Sequence, residues 1–173
     1  ARETGAPFVR NDGDSSAGYY TYFRGLEAEA VETYLQKDAF GIVFPTNDEQ
    51  HVVGVAWRHE RFKELKRDVE GNFFATLDAL GDIGARARAA ERTERFVGSA
   101  DIPNYLRKAF GPGWALVGDA CYHKDPAPAD GITDAFRGAD YLATAIDDLL
   151  RGGDEHSALT RYEERHAEIA LPL

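Results

Sequence analysis

Gly113-Trp-Ala-Leu-Val-Gly118-Asp119-Ala-Cys121-Tyr-His-Lys-Asp-Pro126-Ala-Pro-Ala129-Asp-Gly131-Ile132-Thr-Asp-Ala-Phe-Arg-Gly-Ala-Asp-Tyr-Leu-Ala143, with its helical continuation to Leu150, is the stretch whose reading decides the fold. Trp114 to Gly118 is apolar throughout and too short for a helix, which suits a strand covered on both faces, as in a parallel sheet. A Pro-rich loop follows, and then a helix whose start is signalled by Gly131. Its apolar positions Ala135 or Phe136, Ala139, Leu142 or Ala143, Ile146, and Leu149 or Leu150 recur at helical spacing and predict one packed face. A carboxylate directly after such a strand lies where open α/β sheets bind ligands. Asp119 therefore reads equally as an acceptor for a hydroxylated ligand or as a cap on the following turn. The free amides and positive dipole end of the helix favour a partial negative charge in front of Gly131 and Ile132. Asp134, in the first turn, suits the dipole by itself.

The wider chain supplies walls and scaffolding. Residues 17–25, Ala-Gly-Tyr-Tyr-Thr-Tyr-Phe-Arg-Gly, read as a strand, with Tyr20, Tyr22 and Arg24 on one face and Tyr19, Thr21 and Phe23 on the other. Residues 40–46 and 51–57 read as a hairpin joined by Asn47 to Gln50, with Pro45 at a strand end where it costs no central ladder bond. These strands predict an antiparallel sheet with one face open to water or ligand. From Arg58 to Thr93 the period becomes helical through Phe62, Leu65, Val69, Phe73 or Phe74, Leu77 and Leu80, with Gly71 and Gly81 as breaks. Strand character returns at 94–100 and 105–110. Asp154 caps a last helix carrying Leu159, Tyr162, His166 and Ile169 inward. Asp12 and Asp14 sit in a polar loop that lacks the remaining ligands of a calcium loop.

With 173 residues and 43% apolar content the chain is globular. Its net charge of -10 opposes binding to nucleic acid or anionic membrane. The single cysteine, Cys121, excludes an intrachain disulfide, and no Asn-x-Ser/Thr acceptor occurs, which fits a reducing cytoplasm. No run of membrane length and no signal-peptide pattern is found. The first residues read as the middle of a helix running into a loop, and the last stop while a helix still presents apolar residues, so both ends read as cut.

Gly118-Asp119-Ala120, Lys124-Asp125-Pro126, Ala129-x-Gly131-Ile132-x-Asp134-Ala135-Phe136-Arg137 and Leu142-Ala143 together resemble the second FAD-binding motif of single-component flavin monooxygenases, in the form found among geranylgeranyl-reductase-like and halogenase-like relatives. The resemblance covers about thirty residues. It implies that the aspartate at 119 bonds the ribityl chain of FAD, that Pro126 lies near the isoalloxazine ring, and that Gly118, Ala129, Gly131 and Ile132 complete the cofactor surface. It implies an α+β fragment of an α/β FAD-binding fold: residues 1–110 as a substrate domain with an antiparallel sheet and helices, and 111–173 as the C-terminal strand-loop-helix of the FAD-binding domain. Phe44-Pro45 is similar to the family's Phe-Pro segment, and Tyr20, Tyr22, Phe44, Pro45 and Trp57 become the expected pocket walls.

Four features depart from the family pattern, one being that the His soon after Gly-Asp is displaced, with Tyr122 at its usual place and His123 next. The N-terminal Gly-x-Gly-x-x-Gly and the Asp-Gly before the substrate domain are not found, and Asp130 replaces the Gln of Gly-Gln-Gly. The expectation is therefore the C-terminal part of a longer flavoprotein, inactive alone and without FAD. The activity implied is an NAD(P)H-dependent monooxygenase hydroxylating a small organic substrate, aromatic ones included; the resemblance names no catalytic side chain and leaves oligomeric state open. Reduction of an isoprenoid double bond stays open. Halogenation is disfavoured because Trp-x-Trp-x-Ile-Pro is not found in this segment. A non-catalytic binding domain, and a hydrolase using Asp119, His123 and Asp125 as metal ligands, are the alternatives; no metal is expected. Cys121 reads as small apolar packing rather than a nucleophile.

Overall fold

The computed structural model describes residues 3–11, 13 and 15–170. Asp12 and Asp14, and the terminal residues 1–2 and 171–173, lie outside the described residues. In chain order the strands are β1 (Phe8–Arg10), β2 (Ser15–Arg24), β3 (Glu32–Leu35), β4 (Ala39–Pro45), β5 (Gln50–Arg58), β6 (Glu91–Arg92), β7 (Val97–Pro103), β8 (Tyr105–Arg107), β9 (Phe110–Gly111), β10 (Trp114–Ala115) and β11 (Tyr122–His123). The helices are α1 (Phe62–Leu65), α2 (Val69–Leu80), α3 (Ile83–Ala89), α4 (Gly131–Leu150) and α5 (Glu155–Ala170). The expected α+β class is what the structure shows. No helix among the described residues is long and apolar enough to cross a membrane.

The chain forms two compact units, residues 14–102 and residues 1–13 with 103–173. These bounds differ from the division at 110 read from the sequence. Residues 3–5, read there as helix, form a turn, and β1 beyond them pairs with β8, while β11 pairs with the other edge of β8. Backbone pairing thus draws residues before 111 into the later unit.

In the unit of residues 14–102, an antiparallel sheet runs in the order β3-β4-β5-β2-β6, with β7 also paired to β2. The β4–β5 hairpin aligns Ala39 with Trp57 and Pro45 with His51, and β2 pairs along β5 from Ser16↔Arg58 to Arg24↔Gln50. The period of two sends Phe23, Val43, Val53, Val55 and Trp57 to one face, where they bury against Leu65, Phe73, Leu77, Ile83 and Ala87. Helix packing over the sheet is tight: a β-carbon at Gly41 would lie 2.7 Å from Leu80 Cδ1. Gly71 does not break a helix as expected. It sits in the first turn of α2, and its N–H donates to the capping carboxylate of Asp68 at 2.9 Å. A side chain at 71 would collide with that carboxylate.

In the unit of residues 1–13 and 103–173, α4 and α5 form a helical pair against the β1-β8-β11 sheet, around Leu106, Leu116, Cys121, Ala145, Leu159 and Tyr162. Asp154 Oδ2 accepts from Ser157 N at 2.8 Å, capping α5 as its sequence indicates. Two expectations are corrected here. Residues 114–118 do not form a covered parallel strand. Gly113, at φ +76°, turns the chain back, so β10 pairs antiparallel with β9 and Leu116 N donates to Ala109 O. The buried face of α4 keeps Ala135, Leu142 and Leu149 of the expected alternatives half-buried, but it is shifted off Ala139 and Ile146, which are exposed. Asp134, Gly138 and Ala145 are buried, whereas Ile132, Phe136, Ile146 and Leu150 are 76%, 73%, 44% and 83% exposed. Apolar residues occupy more than half of the circumference of α4, so periodicity alone cannot choose between the faces. Gly138, which admits α5 closely, decides it.

Candidate functional site

The Gly118-Asp119-Ala120 segment is one turn of 3-10 helix rather than a strand end. Gly118 has φ +54°, a conformation that favours glycine. A β-carbon there would lie 3.3 Å from the Ala135 β-carbon, so this turn rests on the first turns of α4. Backbone conformation and close packing thereby bring Asp119 to the N-terminal end of the helix that Gly131 opens. Asp119 is exposed, and among the described residues no hydrogen bond or ion pair engages its carboxylate. Its backbone oxygen accepts from Tyr105 Oη at 2.7 Å. Tyr105 in turn stacks on His123, whose Nδ1 lies 2.6 Å from Pro103 O.

Helix α4 begins without a side-chain cap, leaving the first amides, from Gly131 onward, open to an acceptor. Pro126, Ala129, Gly131 and Ile132 are all exposed along this approach. The loop before the helix is held in shape from within: Ala129 N donates to Pro126 O at 2.9 Å, and Ala127 N donates to Asp125 Oδ1 at 2.9 Å. Ala129 adopts φ +59°, a left-handed conformation that costs a non-glycine residue about 1 kcal/mol or more.

An ion-pair cluster that the sequence reading did not assign lies beneath this loop. Lys124 Nζ is 2.6 Å from Asp134 Oδ2 and 3.5 Å from Asp130 Oδ2. The Lys124 and Asp134 side chains are only 12% and 8% exposed. Arg137 approaches the other Asp134 oxygen at 3.4 Å. Burial draws the Lys124 ammonium down, but its hydrogen bond to Asp134 and the surrounding charges outweigh this and raise it overall. Ten residues and a loop separate Lys124 from Asp134, so no periodic signal marks the pair. Behind it, His166 is buried against Tyr122 and Tyr162. Desolvation lowers its pKa, against the opposing influence of Asp134 and Glu163, and its Nδ1 has no partner among the described residues.

This donor set fits the flavin-facing half of FAD. A free carboxylate can take ribityl hydroxyls, and uncapped helix amides can take the pyrimidine oxygens. The metal alternative is not supported by geometry. Asp119, His123 and Asp125 do not group as a ligand set, and no three His, Cys, Asp or Glu residues do so among those described. Burial, the largest influence, pushes the Cys121 thiol up to about 12, which keeps it protonated and inert.

Residues 14–102 contain the other expected surface. Tyr20, Tyr22 and Phe44 share the face of the sheet opposite the helices, with Tyr20 39% exposed and the two tyrosine rings 6.2 Å apart. Pro45 is exposed at the end of β4. Trp57 does not join them. The alternation that puts Val53 and Val55 in the core carries it there too, 2% exposed, with Nε1 donating to Thr76 Oγ1 at 3.0 Å.

No family model and no curated protein matches the sequence. Solved structures do match its fold. The flavin-dependent halogenase CmlS aligns over 98% of this chain and 32% of its own, with TM-score 0.79 and 19% identity. The flavin-dependent brominase Bmp2 aligns over 95% and 44%, with TM-score 0.83 and 18% identity. PqsL, described as a probable FAD-dependent monooxygenase from Pseudomonas aeruginosa, aligns over 94% and 46%, with TM-score 0.72 and 23% identity. This chain therefore spans less than half the length of each of these structures. Over that length it has the fold shared by flavin-dependent halogenases and FAD-dependent monooxygenases.

Proposed function

We propose that this chain forms the substrate-side and flavin-facing part of an FAD-dependent oxidoreductase, an NAD(P)H-dependent monooxygenase acting on a small organic substrate in the cytoplasm. The observation that carries this reading is the seating of the Gly118-Asp119 turn against the uncapped start of α4. When bound, FAD would accept hydride from NAD(P)H and activate oxygen. The residues of this chain would bind and orient it: Asp119 takes ribityl hydroxyls, the amides at Gly131 and Ile132 face the pyrimidine edge, and Pro126 and Ala129 shape the loop beside the ring. Helix-dipole stabilisation of negative charge on the ring is the electrostatic share of the protein. Tyr20, Tyr22 and Phe44 form an apolar wall suited to orienting an aromatic or other apolar substrate and excluding water, while Pro45, expected beside them, falls on the opposite alternation at the strand end.

The test is the colour of the full-length protein. Flavin absorbance that elutes with the protein, and is lost on Asp119→Ala while the fold persists, supports the reading; a colourless full-length protein sinks it. Because CmlS is a flavin-dependent halogenase and Bmp2 a flavin-dependent brominase, halogenation is the second reading. Product analysis with and without chloride or bromide separates the two, and saturation of an isoprenoid double bond would instead identify a reductase.

A further inference from the structure

The start of α4 combines two carboxylates with a role that calls for positive potential. Asp130 stands at the N-cap without donating or accepting a cap bond, and Asp134 follows in the first turn. A negative side chain near a helix N-terminus is favourable for the helix itself, but it offsets the dipole that an incoming partial negative charge would use. Lys124 contacts both carboxylates, at 3.5 Å and 2.6 Å, from a site that is 12% exposed. Arg137, the other cation on Asp134, is half exposed and so more strongly screened by solvent.

We propose that Lys124 is a positioning residue for the cofactor: by neutralising Asp130 and Asp134 it preserves the anion-accepting character of the Gly131 and Ile132 amides and fixes the loop that carries Pro126 and Ala129. This rests on the functional reading above. The same ammonium lies 5.8 Å from the centre of the Tyr122 ring, which helps to fix the lysine stem beneath the loop. Lys124 thus acts through Asp130 and Asp134 rather than by contact with the reacting ring.

The test uses the full-length protein, stripped of flavin and titrated with FAD, alongside the melting temperature of the flavin-free form. Lys124→Met leaves Asp134 with only the half-exposed Arg137 beside it and should weaken FAD binding about tenfold or more, while Lys124→Arg should stay within about threefold. The double variant Lys124→Met with Asp134→Asn removes both charges and should recover most of the affinity, an outcome that a purely steric role for the lysine stem would not produce. The midpoint potential of the flavin should become more negative in Lys124→Met, because uncompensated carboxylates disfavour the reduced, anionic ring. Equal FAD affinity in wild type and Lys124→Met overturns the inference, as does loss of binding in Lys124→Met that the double variant does not repair. A wild type that binds no FAD overturns the functional reading, and this inference with it.

Discussion

Gly138 of α4 passes His166 of α5 so closely that a β-carbon at 138 would lie 3.3 Å from the imidazole Cδ2 and 3.9 Å from Gly118 N. One glycine therefore sets both the distance between the two helices and the seat of the Asp119 turn. Gly138→Ala would gain about 1 kcal/mol of helix propensity and lose a comparable amount to the tight contact, leaving stability nearly unchanged. Gly138→Leu should destabilise by roughly 1–3 kcal/mol and weaken FAD retention together with stability. Thermal melts followed by circular dichroism, with flavin content measured on the same samples, check both effects.

Burial, the largest influence on His166, holds its pKa below the ordinary histidine value, so the folded state favours the neutral ring. The unfolded chain takes up this proton first as pH falls. The contribution of His166 is thus fully present above the unfolded pKa of about 6.5 and is lost as pH drops through that value toward the lower folded pKa. Asp134 and Glu163, the acidic groups facing it, temper the loss. Denaturant midpoints for wild type should fall more steeply below neutral pH than those of His166→Phe. Parallel curves would refute the assignment.

Arg86 ties α3 to β3. Its Nη1 donates to Glu32 Oε2 and to Tyr34 Oη, each at 2.9 Å, and its Nη2 donates to Glu32 Oε1 at 2.9 Å and to the backbone oxygen of Glu27. The fork holds the Glu32 carboxyl below its usual range and raises the guanidinium further. Desolvation, with help from Glu32, pushes Tyr34 up to about 12. Since the Arg86 and Glu32 side chains are 21% and 27% exposed, solvent still screens the pair. Arg86→Met should cost about 1–2 kcal/mol. Urea unfolding at low and high salt measures the loss and its electrostatic share.

Trp57 of β5 and Phe44 of β4, on opposite faces of one hairpin, should behave oppositely. Trp57→Ala empties a core position and removes the donor to Thr76, a loss of roughly 3–5 kcal/mol. Phe44→Ala and Tyr20→Ala alter the open face and should leave melting nearly unchanged while raising KM for the substrate of the full-length enzyme. Unfolding of the Phe44 variant, or a well-folded Trp57 variant with altered KM, would reverse the assignment of faces.

The hairpin and the α2 and α3 pattern were legible in the sequence because each rests on local signals, alternation and helical period, whereas the roles of Gly118, Asp119 and Gly131 came from the family resemblance. Trp57 was misassigned because an aromatic residue at a strand end carries no mark of which face is covered. Residues 114–118 misled because their apolar run does not reveal whether the next strand pairs parallel or antiparallel; the Gly113 turn decided that. The inner face of α4 depended on its neighbour α5, and Lys124 found Asp134 only through the folded loop. In each case the missing information was tertiary.

The outer side of α4 bears on how the isolated polypeptide behaves as a colloid. Ile132, Phe136, Ile146 and Leu150 stand largely in water, with Ala139 and Ala143 also exposed between them, so one helix displays a greasy ridge about 27 Å long from end to end. Such a ridge should lower the solubility ceiling of the chain despite its net charge of -10. Recoding Phe136 and Ile146 as glutamate would raise that ceiling without touching the packed side of the helix, a difference that light scattering across a concentration series would register.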